Sequence, residues 1–480
     1  MANVLIDRGT VITMDAERRI IENGAVVIEQ DRIVAVGPRS DIVGTGQFDE
    51  TIDASNMVVL PGLIDCHAHA GHSLIKSLGT DLGDSWNEAC ENIYSWASSV
   101  AFWEAEAELA ALERLKFGIT CGVSLLGGGN SIYRCDDPVY AAHHCDAVER
   151  VGIRSFLAVG PCPPPYPRTF VDWRDDPATA HDVTLEGQLE TCESIIEANH
   201  NTAGGRIQIC IVSPTVHPDD VSSAVSAEQA HALNTQALEA RKLSRRHGLL
   251  FTQDGHRRGS VKYANENLDL LGPDALLSHS IDLSDEEVAI AAATDTRIVH
   301  NPSAIAAIMG RCPVTELLDA GVTVVIGSDA TAPDRSSDLF RHMQQCMHYH
   351  RRHFRDPGVL PPGKTLEMVT IDAARALGRS HEIGSVEAGK KADLTLLDLF
   401  KPHTYPLQMP LYRTVYFANG NDVDTVIVDG KILMRKREVS TVDEHAVLER
   451  AARESQLALE RSGLEALTRM PERVWGHSHF

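Results

Sequence analysis

Positive charge is scarce in this sequence: Lys and Arg number 44 against 67 Asp and Glu, for a formal net charge of −23. Nucleic acid and anionic membrane surfaces both call for a basic face, so neither is expected as a partner. Long apolar runs are missing as well, and none approaches the ~20 residues of a membrane span. The opening Met1-Ala2-Asn3-Val4-Leu5-Ile6-Asp7 lacks the basic-then-apolar order of a secretory signal. No two cysteines stand at CxxC spacing. The ten that are present are scattered, which reads as buried, reduced thiols in a cytoplasmic protein. What is there is a hydrophobic fraction of 43% and a charged fraction of 23%, those of a soluble globular chain. A length of 480 residues allows one large domain with a smaller one beside it.

Residues 1–60 read as short strands: Val4-Leu5-Ile6, Thr10 to Met14, Gly24 to Ile28 and Arg32 to Gly37, separated by turn residues. From Pro61 the pattern becomes strand, loop, helix, repeated. The strands begin at Pro61, Ile119, Ile153, Arg206, Leu249, Ala275, Arg297 and Val322. The fifth is expected over Leu249–Thr252. Helices are expected over Ala105–Lys116, Pro138–Val151 and Ala227–Arg246, the first two closed by Gly118 and Gly152. Strands alternating with helices imply a parallel sheet, and eight of them fit an α/β fold of the (β/α)8 TIM-barrel type over 61–385. Residues 386–440 return to strand pattern. They are expected to pair with 1–60 in a small composite β-sandwich built from both chain ends, with a helical segment over 441–480 whose final Val474–Phe480 fits no element.

The central stretch is Pro61-Gly62-Leu63-Ile64-Asp65-Cys66-His67-Ala68-His69. Residues i and i+2 of a strand share a face, so His67 and His69 offer two imidazoles to one point, with Cys66 turned away. Parallel barrels carry their chemistry at the C-terminal ends of the strands. There the sixth strand ends in His279, the seventh in His300-Asn301-Pro302 and the eighth in Ser328-Asp329. Ligand-type residues on four strand ends facing one mouth point to a metal site.

PGLIDCHAH, LLSHSIDL, VHNPSA, GVTVVIGSDA and IGSVEAGKKADLTLLD together resemble the amidohydrolase superfamily, in its branch of aminohydrolases and triazine-type hydrolases. The resemblance implies that His67, His69 and Asp329 bind a divalent metal. Asp329 would also take a proton from the attacking water, and His279 would orient or polarise water or substrate. It implies one ion per chain, zinc first, with iron, cobalt or manganese as alternatives. The bridging lysine of two-metal relatives has no candidate on the fourth strand. A small-molecule substrate and a homo-oligomer are the implied partners.

Three positions depart from the family pattern. Where deaminases of this branch carry His-x-x-Glu after strand five, the chain has Gln253-Asp254-Gly255-His256. Pro-His after strand four is Pro214-Thr215, with His217 two further on, and a frequent Asp after strand two is Ser124. Gln253 is therefore expected at or beside the metal, with a water or His279 as the other ways to complete the shell. His256 is expected as the proton shuttle, on the ordinary imidazole pKa near 6.5. His300, Thr215 and His217 are expected to contact substrate. Loss of the ring-protonating Glu favours cleavage of a non-peptide C–N or carbamate-type bond in a small amide, urea or carbamate, with the phenylurea and thiocarbamate hydrolases as the suspected subgroup. The alternatives are an aminohydrolase or dechlorinase of an N-heterocycle such as a triazine or purine and, behind both, a non-catalytic scaffold.

Overall fold

The computed structural model describes residues 3–44, 47–80, 85–224, 226–304, 306–329, 331–470 and 474–476. Eight strands pair in parallel and in chain order: Leu63–Asp65, Ile119–Leu125, Arg154–Val159, Ile207–Pro214, Phe251–Asp254, Ala275–Ser278, Arg297–His300 and Val324–Ile326. Nearly every residue in them is buried, as apolar strands covered on both faces require. The eighth strand closes on the first just beyond their ends. Cys66 N donates to Ile326 O at 3.4 Å and Asp329 N to His67 O at 2.8 Å. Asp65 fastens this seam: its carboxylate accepts from Ser328 N at 2.9 Å, Ser328 Oγ at 2.7 Å and the Arg114 guanidinium at 3.0 Å. The result is the (β/α)8 barrel expected from the alternation.

The helices start and stop on local chemistry. Ser99 caps Val100–Lys116 by accepting from Phe102 N, and Gly118 beyond its end takes φ +81°. Ser226 caps Ala227–His247 in the same way, and Gly248 ends it in the left-handed region. That ending moves the fifth strand. Leu249 N folds back onto Ser244 O at 2.9 Å, so the strand is Phe251–Asp254 and not Leu249–Thr252. The shift carries Gln253 and Asp254 into the strand, with Asp254 at its tip.

A second sheet joins the two chain ends. The strand Leu394–Asp398 runs antiparallel to Met57–Pro61, the segment that feeds directly into the barrel. Asn3–Ile12, Ile20–Glu29 and Arg32–Pro38 extend the sheet on one side, and Val423–Val428, Lys431–Arg435 and Glu438–Val439 on the other; Glu50–Asp53 adds to Asn3–Ile12. Val4, Ile6, Val26, Ile28, Leu394 and Leu396 fill its core. Two expected strands at Val4–Ile6 and Thr10–Met14 are one strand here, kept continuous through an irregularity at Arg8, which takes φ +68°. Residues 384–393 form a crossing loop and no strand: Val386 N donates to Thr13 O and Gly389 N to Ile33 O. The C-terminal helix Glu444–Ser462 lies against the barrel, where Ser455 Oγ donates to Leu74 O at 2.6 Å. Of the tail, residues 477–480 fall outside the described set. No described helix is long and apolar enough to cross a membrane, and all ten cysteines are buried and unpaired.

Candidate metal centre at the barrel mouth

His67 and His69 leave the first strand on one face, with ring centroids 5.0 Å apart. Asp254 stands at the tip of strand five, His279 follows strand six, and Asp329 follows strand eight. His67 Nε2 lies 3.4 Å from Asp254 Oδ1 and 3.6 Å from Asp329 Oδ1. His69 Nε2 lies 3.4 Å from Asp254 Oδ2 and 3.2 Å from Asp329 Oδ1. Two ligand atoms each about 2.1 Å from one ion are themselves roughly 3–3.5 Å apart, so this spacing fits a single cation. His279 Nε2 is 3.0 Å from Asp254 Oδ1, and Ser278 Oγ donates to the same oxygen at 2.6 Å.

The surroundings aim these atoms. His69 Nδ1 donates to Gly127 O at 2.8 Å, which leaves its Nε2 lone pair for the centre. Gly128 makes that approach possible: a Cβ there would sit 2.3 Å from the His72 ring and 2.8 Å from His69 Nδ1. The glycine run of the second strand's loop is thus a seat for the histidines. Both ring nitrogens of His67 are buried without a hydrogen-bond partner. His279 and Asp329 take left-handed φ values of +63° and +65°, a conformation that costs roughly 1–3 kcal/mol each and gathers at functional sites.

Electrostatics favour a cation. Burial opposes a charge on His67, yet the Asp254 and Asp329 carboxylates outweigh it and hold the imidazole up to about 10. Burial likewise opposes the Asp254 charge, but His67 and His279 carry its pKa well below the carboxylate range. Asp329 is lowered well below it too, with Arg335 the strongest influence against burial; Arg335 Nη1 lies 3.7 Å from Asp329 Oδ2. Buried imidazoles facing two ionised carboxylates form a hard-to-borderline donor set suited to a divalent transition metal.

The remaining sequence-derived residues fall around this centre. Gln253 donates its amide nitrogen to Pro214 O at 3.2 Å, and its Oε1 is buried without a partner. Thr215 Oγ1 donates to Asp254 O at 2.7 Å and so braces the tip of strand five. His217 Nδ1, His256 Nε2 and His300 Nε2 are all buried and unpartnered. His256 does not keep the ordinary imidazole pKa: burial and the neighbouring His217 pull it down to about 3. Burial thus favours the neutral ring. Ser124 accepts from Arg114 at 2.8 Å, in the network that holds Asp65. Beyond the Pro-rich run 161–167 that follows strand three, Phe170 is buried, Trp173 donates to Trp96 O at 2.8 Å, and Arg461 covers the Trp173 ring at 4.4 Å.

Sequence reasoning passed over Asp254, Arg335 and His72, whose Nδ1 lies 2.5 Å from Tyr94 Oη and whose ring stacks on His69. Asp254 had a readable signal, a carboxylate directly before Gly255 at a strand end. Arg335 and His72 had none, because each reaches the centre from a loop.

A (β/α)8 barrel whose strand ends gather histidines and carboxylates at one mouth defines a metal-dependent hydrolase. The family model of the amidohydrolase family matches residues 58–433. The chain belongs to that family. It is 30% identical to a 5'-deoxyadenosine deaminase of Methanosarcina acetivorans, over 94% of this chain and 97% of that protein. It is 32% identical to a 5-methylthioadenosine/S-adenosylhomocysteine deaminase of Moorella thermoacetica, over 92% and 96%. Among solved structures, an adenosine deaminase of Xanthomonas campestris with bound zinc superposes with a TM-score of 0.79 at 21% identity, over 95% of this chain and 99% of that one. The zinc complex of an atrazine chlorohydrolase from Arthrobacter aurescens superposes at 0.73 and 20% identity, over 94% and 100%. The chain is an enzyme, a metal-dependent hydrolase of carbon–nitrogen bonds other than peptide bonds, and its centre takes a divalent metal.

Proposed function

We propose that the chain hydrolyses an acyl C–N bond of a small amide, urea or carbamate, with one zinc ion held by His67, His69, Asp254 and Asp329. A bound divalent cation supplies a nucleophile at neutral pH by lowering the pKa of water from 15.7 to about 7. The chain's own residues do the rest. Asp329, kept ionised beside Arg335, accepts the water proton and passes it to the departing nitrogen. His279, fixed 3.0 Å from Asp254, orients the attacked carbonyl. The observation that carries this reading is the residue at position 256: where deaminases of the branch carry the Glu that protonates a ring nitrogen, this chain has His256, and acyl cleavage does not require that carboxylic acid. His300, Thr215 and His217 border the substrate. Gln253, next to Asp254 on strand five, keeps a buried Oε1 without a partner.

A second reading rests on the relatives, whose deaminase names cover almost the whole chain: removal of ammonia from an N-heterocycle. The test is a product screen of the metal-loaded protein on ureas, amides, carbamates and aminoheterocycles, with Asp329→Ala as the control. Acyl turnover lost in the variant supports the first reading. Ammonia from 5'-deoxyadenosine, with every acyl compound untouched, supports the second. We further place the enzyme in the cytoplasm as a homo-oligomer, assembled through the exposed apolar segment that carries Phe400, Tyr405, Met409, Tyr412 and Phe417.

A further inference from the structure

A cavity of ≈ 380 Å³ opens between the turn that follows the first barrel strand and the C-terminal helix Glu444–Ser462. That size lies within the roughly 300–1,000 Å³ of small-molecule sites. Leu74, Ile75 and Leu78, all buried, supply its apolar lining from the turn, and Leu459 and Leu467 add to it from the C-terminal segment. Met470, which also lines it, is 69% exposed to water. The turn is held by its backbone. Ser455 Oγ donates to Leu74 O at 2.6 Å, and Ser77 N donates to Pro333 O at 2.7 Å, in the loop that carries Arg335. No residue of the metal centre lines the cavity.

The charge of the lining runs against that of the chain. Asp and Glu number 67 against 44 Lys and Arg overall, yet none of the described residues lining this cavity is acidic, while Lys76 and Arg469 are basic. Lys76 is paired with Glu113 at 2.5 Å, but Arg469 meets no carboxylate among the described residues. We propose that the cavity is a binding site for a small amphipathic carboxylate, with its chain against the leucines and its head on Arg469. Each methylene that the apolar lining takes from water favours binding. A guanidinium grips a carboxylate through two parallel hydrogen bonds, which gives the head both strength and direction. A neutral head of the same chain length forgoes that bond, and an ammonium head meets two like charges.

The test uses metal-loaded protein with 13C-labelled isoleucine methyl groups, in which the Ile75 signal is the one lost in Ile75→Val. Octanoate should move that signal saturably, with a single molecule bound per chain. Octanol should bind roughly tenfold more weakly, and octylamine more weakly still. Arg469→Gln should weaken octanoate by roughly three- to tenfold and leave octanol unchanged. Isoleucine signals away from the cavity report that the variant is folded. Stripping the metal should leave octanoate binding intact. An Ile75 signal that stays put, a shift that never saturates, or equal affinity for octanoate and octanol overturns the proposal. So does a loss in Arg469→Gln that is the same for both ligands. Binding that vanishes with the metal belongs to the barrel mouth and overturns it as well.

Discussion

One position separates Gln253 from Asp254, and the metal shell turns on which of them meets the ion. Asp254 lies 3.4 Å from both His67 Nε2 and His69 Nε2, whereas Gln253, tied to strand four through its amide nitrogen, offers one neutral carbonyl oxygen, a weaker ligand than a carboxylate. Asp254→Asn should therefore weaken metal binding by more than the 10–100-fold typical of losing a supporting residue. Gln253→Ala should leave the metal content of dialysed protein unchanged; the reverse ranking would put Gln253 in the shell. The chain advertised His67, His69, His279 and Asp329 because each is a lone polar residue after an apolar run. The place of Asp254 at the strand's tip was masked by a boundary, because the apolar Leu249-Leu250 pair reads as strand but follows directly on the end of a helix. The lowered pKa of His256 was beyond sequence reasoning altogether, since it follows from burial and from His217.

The helix Val100–Lys116 carries a second perturbed group with a different consequence. Glu106 is buried against the loop after strand one, near Ser73 N, and burial lifts its pKa from 4.5 to about 7 despite hydrogen bonds from Gly71 and Ser73. The folded state thus binds a proton more tightly than the unfolded chain does. Stability from this group is full below pH 4.5, falls as pH rises to about 7, and is level above that. The loss is roughly 3 kcal/mol. Denaturant melts should show this decline in wild type and a flatter profile in Glu106→Gln. An identical slope in both would place the pH dependence elsewhere. Of the helices themselves the sequence was a good guide where glycines 118 and 152 mark the ends with a backbone conformation other residues avoid; Gly248 does the same but was not read as an end.

At the scale of the whole molecule, Arg154 ties barrel to sheet. From the third barrel strand it reaches Asp393 at 2.6 and 3.0 Å and Asp429 at 2.5 Å, all but buried. Arg154→Met leaves the buried Asp393 without its guanidinium, while Asp429 keeps Lys391 at 3.3 Å and Arg206 at 3.6 Å, and should cost roughly 3–5 kcal/mol. A change under about 1 kcal/mol would show that the joint is solvated, as surface ion pairs are. The barrel was legible from eight alternating repeats. The sheet's pairing of Leu394–Asp398 with Met57–Pro61 was legible only as a grouping, because register across more than three hundred residues depends on side chains meeting in a core and leaves no local mark. On the outer surface, Phe417→Glu should shift the protein in sedimentation from an oligomer toward the 52.3 kDa monomer.

Everything above depends on one cation at the barrel mouth. Elemental analysis of the purified active protein, repeated on Asp329→Ala, tests that directly. The expected result is about one divalent ion per chain in wild type, with both ion and activity lost from the variant. Two ions per chain, or full activity in a preparation that holds none, would contradict it.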